Sequence, residues 1–237
     1  MRRRLFGTGV ILLGLSALAM AQAQTPPEPP PEPARLLDGS VPGMTPFATA
    51  GGNVVLSVAV LPDGHVGTID VLRTTPPYTD ALVESVRAWR FSPALDSKRR
   101  PIDAHVLVSS IIRPPDLYSQ AVGTPPKDLR TTDTRVPFPA QSSTPQYPVN
   151  AHAGGSVLVE SRIDKSGHVV GVTTVKALEP FNVAALDAAR SATFRPAEGP
   201  DVPPVTYAYQ LFVFRAPVVG AGSPGTGGFN PTFQPAK

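Results

Sequence analysis

The chain has 237 residues, a formal net charge of +3 and no cysteine. The lack of cysteine excludes disulfides, thiol catalysis and cysteine-based metal sites, so stability must come from packing. The three arginines at positions 2–4 account for the whole net charge: 21 basic residues less these three leave 18, against 18 acidic residues, which argues against nucleic acid as a partner.

Residues 1–23 are predicted to be an export signal. The three arginines precede an apolar run of about 17 residues from Leu5 to Ala21, and the small residues Ala19, Ala21 and Ala23 suit signal-peptidase cleavage. The run is at the lower limit for spanning a bilayer, so an uncleaved signal anchor is the alternative. The expected location is the periplasm, with anchorage in the inner membrane if the signal is not cleaved.

Three stretches have the composition of segments that do not pack a core. Residues 24–45, rich in Pro and Glu, predict an extended spacer. Residues 114–142, rich in Pro and Thr, predict a linker, and residues 216–237, rich in Gly and Pro, predict a flexible tail. Two candidate domains remain, at 46–113 and 143–215.

The two candidate domains are copies of each other, offset by 103 residues. The offset superposes three groups of residues: Gly51-Gly52 on Gly154-Gly155, Gly64-His65-Val66 on Gly167-His168-Val169, and Phe91-x-Pro93-Ala94 on Phe194-x-Pro196-Ala197. Recurrence of this kind at turns and helix ends predicts the duplication of one supersecondary unit.

Each copy begins with a predicted hairpin. Apolar residues alternate with more polar ones over 54–60 and 157–163, which is typical of strands. Gly64 and Gly167 follow at positions where a turn needs positive φ, so each strand should fold back into a second strand.

A helix follows each hairpin. Thr79 and Asn182 are equivalent under the offset and are predicted N-caps. Leu82, Val86 and Trp89 fall on one helical face, which should pack against the sheet.

A closing strand follows each helix, at 104–112 and 205–214. Each copy is then a β-β-α-β module, and the predicted fold class is α+β: two tandem modules, each a three-stranded antiparallel sheet packed on one helix. Modules of this size bury little core, which favours pairing between the copies or with another chain.

This order of motifs resembles the C-terminal domain of the TonB family, periplasmic proteins that transmit inner-membrane energy to outer-membrane receptors. The second copy matches the family pattern at several points: Tyr147-Pro148, Gly155, Gly167, Phe181 before the helix, and Phe194-x-Pro196. The first copy has the family's aromatic helix end as Trp89-Arg90-Phe91. Its entry is degraded, because Met44-Thr45 stands where Tyr147-Pro148 would align.

The resemblance implies that an extended peptide from a TonB-dependent outer-membrane receptor binds at the open edge of the second closing strand. It assigns the binding site to Gln146 and Tyr147 and to residues of that strand, namely Val205, Tyr207, Tyr209, Leu211 and Val213. It also implies contact with the ExbB–ExbD motor if the N-terminus is uncleaved. The apolar run has Ser16 but lacks the His of the family's motor-binding helix.

Two functions are therefore expected from the sequence. The first is a periplasmic TonB-like protein that binds receptor peptides in energy-dependent transport. The alternative is a non-energised periplasmic interaction scaffold in which the two modules pair with each other through their closing strands and leave no peptide site there.

No enzyme activity, cofactor or metal is expected. The sequence has no Gly-x-Ser-x-Gly elbow, no Ser/His/Asp set at recognisable spacing and no phosphate-binding loop. His65 and His168 each follow a turn glycine and have no second ligand at metal-binding spacing, so both are predicted to be solvated turn residues.

Overall fold

The structure, a computed structural model, describes five stretches of the chain: residues 28–43, 51–113, 127–130, 132–199 and 202–216. The predicted signal segment and nearly all of the predicted tail lie outside these residues. Within them, no helix is both long and apolar enough to cross a membrane.

The described residues form two halves that share one order of main elements: an entry strand, a hairpin, a helix, a short strand and a closing strand. The first half, residues 28–113, contains β1 (Leu36–Asp38), β2 (Gly52–Val60), β3 (Val66–Thr74), α1 (Tyr78–Arg87), β4 (Arg90–Phe91), β5 (Ala94–Leu95), β6 (Pro101–Ile102) and β7 (Ala104–Ile112). The second half, residues 127–216, contains β8 (Lys127–Asp128), β9 (Phe138–Gln141), β10 (Gly155–Asp164), β11 (Val169–Lys176), α2 (Asn182–Arg190), β12 (Thr193–Arg195) and β13 (Val205–Phe214).

Seven strands form one mixed sheet in the order β11-β10-β13-β7-β2-β3-β8. Its strands are antiparallel except at the centre, where β13 and β7 run parallel, from Ala208 opposite Leu107 to Val213 opposite Ile112. The predicted α+β fold with two separate three-stranded sheets is therefore wrong. The two closing strands pair because each would otherwise leave a row of backbone N–H and C=O groups without partners.

The 103-residue offset recurs in the pairing of the strands. Val55 lies opposite Arg73 in the first hairpin, and Leu158 lies opposite Lys176 in the second. These pairs are equivalent under the offset, as are the irregularities at both ends of the two ladders. The hairpins of the two halves therefore have the same register throughout.

The repeat also extends to the strands that enter each half. Leu36 in β1 lies opposite Phe91 in β4, and Pro139 in β9 lies opposite Phe194 in β12. These pairs are again 103 residues apart, so the repeated unit begins earlier than the glycines that marked it in the sequence.

The two helices lie on opposite faces of the sheet. α1 packs in a core with Leu158 of β10, whereas α2 packs in a core with Val157, whose side chain points to the other face. The strand order is mirrored about a parallel pair at the centre, so an approximate twofold axis parallel to the strands relates the halves. The predicted packing face of the first helix is buried, as expected: Leu82, Val86 and Trp89.

Each half also covers the sheet of the other half. On the α1 face, the rings of Trp89 and Phe91 pack edge-on against Tyr209, with centroid distances of 6.3 Å and 5.8 Å. On the α2 face, Phe194 belongs to one core with Val55 of the first half. The halves are therefore interlocked through their cores as well as through the sheet.

The segments predicted as spacer and linker supply part of these cores. Ala34 and Leu36, from the predicted spacer, are buried on the α1 face, and Val136 and Phe138, from the predicted linker, are buried on the α2 face. These apolar residues interrupt the Pro-rich composition, so the chain around them packs on the sheet instead of remaining extended in solvent.

The predicted N-caps are wrong. Neither Thr79 nor Asn182 caps its helix with a side-chain hydrogen bond. The Thr79 hydroxyl accepts a hydrogen bond from the backbone N–H of Thr75 at 2.8 Å, and the Asn182 side-chain oxygen accepts one from the Thr174 hydroxyl at 2.8 Å. Both side chains connect the start of a helix to the preceding segment.

The two turn glycines generate a stability prediction. Gly64 and Gly167 have φ of 81° and 83°, and a Cβ at either would overlap the carbonyl oxygen of Phe91 or Phe194. Gly64→Ala and Gly167→Ala should each lower the free energy of unfolding by about 1–3 kcal/mol, because left-handed strain adds to the clash. Chemical denaturation measures this change.

Gly43→Ala is the matched control, because a Cβ at Gly43 would meet no atom within 4 Å. Equal stability of all three variants would show that neither turn depends on glycine.

Candidate functional site

The strand predicted to bind a peptide lies at the centre of the sheet. β10 pairs with β13 along its whole length from Val205 to Phe214, and β7 pairs with its other side from Ala208 to Val213. Its main chain is therefore not an open edge, which removes the premise of the predicted site. The first half's closing strand occupies the position that a captured peptide would need.

The side chains predicted to bind peptide along this strand are mostly core residues. Tyr209 and Leu211 are buried beneath α1, and Tyr207 and Val213 pack against the same core. Val205 is half-buried where the strand begins. The aromatic and apolar character of this strand follows from its burial on both faces.

A buried polar network ties the entry strand β1 to this part of the sheet. The Tyr209 hydroxyl accepts a hydrogen bond from the Leu36 N–H at 2.7 Å and donates one to Glu160 at 3.2 Å. Arg35 donates to both carboxylate oxygens of Glu160 at 3.0 Å, which raises the pKa of Arg35. Burial raises the pKa of Tyr209, and the adjacent Glu160 raises it further. The network therefore holds the start of β1 against β10 and β13.

Tyr209→Phe should weaken the attachment of β1. The substitution leaves the Leu36 N–H and the Glu160 carboxylate short of a partner in a buried site, so the free energy of unfolding should fall by about 1–3 kcal/mol. Hydrogen exchange of the Leu36 amide should become faster. Tyr207 lies on the same face of β13 but is only partly buried. Tyr207→Phe should therefore change neither the free energy of unfolding nor the exchange rate of the Leu36 amide. Equal effects of the two substitutions would exclude this role for Tyr209.

Gln146 and Tyr147 lie together, but next to α2 instead of an open strand. They line a surface groove of about 520 Å³ whose other wall includes Val183 and Asp187. The Tyr147 ring packs edge-on against Phe181 at 5.7 Å, and its hydroxyl donates to the Ala153 carbonyl at 2.8 Å. The structure does not bring these two residues to a backbone edge that could hold an extended peptide.

The open edge of the sheet is β11. Within the described residues this strand pairs with β10 alone, so its outer row of N–H and C=O groups faces solvent. Val170 and Val175 are 51% and 37% exposed, and Lys176 is exposed at the end of the strand. The sequence predicted β11 as a hairpin strand, but the predicted binding site did not include it.

One end of the opposite edge of the sheet is covered by the chain itself. β8 pairs antiparallel with the end of β3, placing Asp128 opposite Arg73 and Lys127 opposite Thr74. The Arg73 guanidinium donates two hydrogen bonds to the Asp128 carboxylate, and the Leu129 N–H donates to the Leu72 carbonyl at 2.7 Å. The molecule therefore contains an example of strand addition.

The Arg73–Asp128 contact generates a pH prediction. The hydrogen bond from Arg73 lowers the pKa of Asp128 below its ordinary value of 3.8. A lowered pKa in the folded state stabilises β8 above pH 3.8, and this stabilisation is lost as the pH falls through the lowered value. The backbone amide shift of Leu129, followed by NMR, should report release of β8 in that acidic range.

Asp128→Asn should release β8 already at neutral pH. Asp80→Asn, on α1, should leave the Leu129 amide unchanged. A Leu129 shift that is independent of pH in the wild-type protein would contradict the assignment.

Among the described residues, the remaining polar clusters form no recognisable catalytic set. A cavity of about 310 Å³ lies where β7 and β13 diverge, and Arg135 on its wall is bound to Asp70 and Asp133. His65 and His168 are exposed in their turns. The described residues contain no group of three or more acidic or histidine side chains arranged to hold a metal.

Comparison with protein families and with curated proteins identifies no relative. The chain matches no protein-family model, and a search of curated proteins found no match. The TonB resemblance therefore remains a prediction that rests on the motifs of the two halves.

Proposed function

We propose that this protein is a non-energised interaction scaffold that binds an extended segment of a partner protein by strand addition at β11. One observation carries the proposal: β11 is an open edge, while its equivalent in the first half, β3, already holds an added strand from the chain itself. Because the sequence predicts an export signal, the periplasm is the proposed location.

Binding at the central strand is disfavoured energetically. A peptide that paired with β13 would have to displace β7 over six residue pairs. It would replace backbone hydrogen bonds with equivalent ones and so gain nothing from them, while the interlocked cores would lose their packing. An edge that is already unpaired carries no such cost.

The length of β11 suits weak, reversible binding. The strand has eight residues, and an added strand would form about four to six main-chain hydrogen bonds of about 1 kcal/mol net each. Part of this gain offsets the entropy of ordering the captured segment. Pockets for side chains on alternate positions would supply the selectivity.

Receptor segments are one candidate class of partner. The resemblance of both halves to the TonB family suggests extended segments of outer-membrane TonB-dependent receptors, bound at β11 and not at the family's usual strand. Coupling to the ExbB–ExbD motor would depend on residues 1–27, which lie outside the described residues.

A defined peptide tests the proposal. The probe is the chain's own segment 123–132, Gly-Thr-Pro-Pro-Lys-Asp-Leu-Arg-Thr-Thr, because it contains the strand that β3 already binds. Added to the full chain, it should slow hydrogen exchange at amides of β11 and leave those of β13 unchanged. Perturbation at β13 or beside Gln146 instead of β11 would contradict the proposed site.

N-methylated versions of the probe separate strand addition from side-chain binding. Successive residues of an added strand point their N–H groups alternately toward and away from the edge. Methylation at alternate positions should abolish binding, whereas methylation at the intervening positions should leave it nearly unchanged. If methylation at both sets of positions abolished binding, or if neither set affected it, backbone pairing would be excluded.

A further inference from the structure

We infer that the segment captured at β11 runs antiparallel to it and carries an acidic residue that pairs with Lys176. This inference rests on the proposed function and specifies the chemistry of the partner. It follows from the equivalence of the two sheet edges and from the charges along β11.

Lys176 occupies the position of Arg73. Arg73 lies opposite Val55 in the first hairpin, and Lys176 lies opposite Leu158 in the second, at residue numbers that differ by 103 in both strands. Because the two hairpins share their register, an added strand would meet Lys176 as β8 meets Arg73.

In the first half, the residue opposite the cation is an acid. Asp128 pairs directly with Arg73, and the two side chains are hydrogen-bonded. Leu129 follows, with its N–H bound to the carbonyl of Leu72. Under the offset, Leu72 corresponds to Val175, which is partly exposed. An added strand in the same register would therefore place its acid at Lys176 and the N–H of its next residue near the Val175 carbonyl.

The charges on the second hairpin favour the same partner. The Arg162 side chain lies over Gly171, and Lys165 is exposed in the hairpin turn. The acid in that turn, Asp164, already accepts hydrogen bonds from the N–H groups of its own turn. The edge thus presents three cations, and an acidic segment complements them.

Other occupants fit less well. Residues 217–237 contain no Asp or Glu, so they offer no acid to Lys176. A second copy of β11 would bring the same cations onto one edge, and lysine at an open edge opposes pairing of that kind. A separate protein segment with an acid complements the edge better than either of these.

A charge exchange tests the inference in the full chain at low salt. The probe is the peptide of residues 123–132, together with versions carrying Asp128→Asn and Asp128→Lys. Lys176→Glu should weaken binding of the native peptide about three- to ten-fold, because an exposed ion pair is replaced by repulsion. The Asp128→Lys peptide should bind Lys176→Glu better than it binds the wild-type chain.

Lys98→Glu is the matched control, since it makes the same charge change in an exposed turn of the first half and should leave binding of the native peptide nearly unchanged. Tighter binding of the Asp128→Lys peptide to Lys176→Glu than to the wild-type chain supports the inference, and its absence overturns it.

The outcomes separate the two proposals. Binding at β11 with the same affinity for all three peptides would overturn the acidic partner and leave strand addition standing. Failure of every peptide to bind at β11 would overturn both.

Asp116-Leu117 has the same pair of residue types, so tighter peptide binding by Asp116→Asn would identify that segment as a competing occupant and overturn the external partner. A dimer in light scattering that the peptide cannot dissociate would do the same.

Discussion

The parallel pairing of β7 and β13 is the contact on which the rest of the structure depends. It joins two copies of one unit into a single sheet. The two strands pair in parallel through the edges that their own hairpins leave free, so an axis along the strand direction relates the copies and they present opposite faces. The two helices therefore lie on different sides, and neither can cover both halves of the sheet.

This arrangement explains why the entry segments pack as they do. On the α1 face, Leu36 and Phe91 cover the second half, and on the α2 face, Phe138 and Phe194 cover the first. A half on its own would expose one apolar face of its sheet, so each half depends on the other half for its stability. The unit is small, and the duplication supplies the core that one copy lacks.

Much of the local structure could be predicted from the sequence, whereas the pairing of the closing strands was predicted only as part of the alternative function. Gly64 and Gly167 indicated both hairpins, and Phe91 and Phe194 indicated both helix ends. The predicted modules nevertheless treated β7 and β13 as edges. One signal was present: Val106-Leu107-Val108 and Leu211-Phe212-Val213 are uninterrupted apolar runs, typical of strands buried on both faces.

The candidate site depended on features that sequence patterns do not carry. Composition marked residues 24–45 and 114–142 by their prolines, which concealed the few apolar residues that pack, such as Leu36 and Phe138. Which edge stays open depends on where residues 127–130 lie, and two residues of β8 give no periodicity to read. The role proposed for Lys176 follows only from its structural equivalence to Arg73, which the sequence pattern does not show.

The short strand β8 also sets how many neighbours the sheet can acquire. Two equivalent halves joined at their centre would present two equivalent outer strands, and molecules of that kind can stack edge to edge without limit. The chain's own residues occupy the Arg73–Thr74 end of one outer strand, whereas β11 carries no added strand within the described residues. The two outer edges are therefore not equivalent, which opposes unlimited edge-to-edge growth.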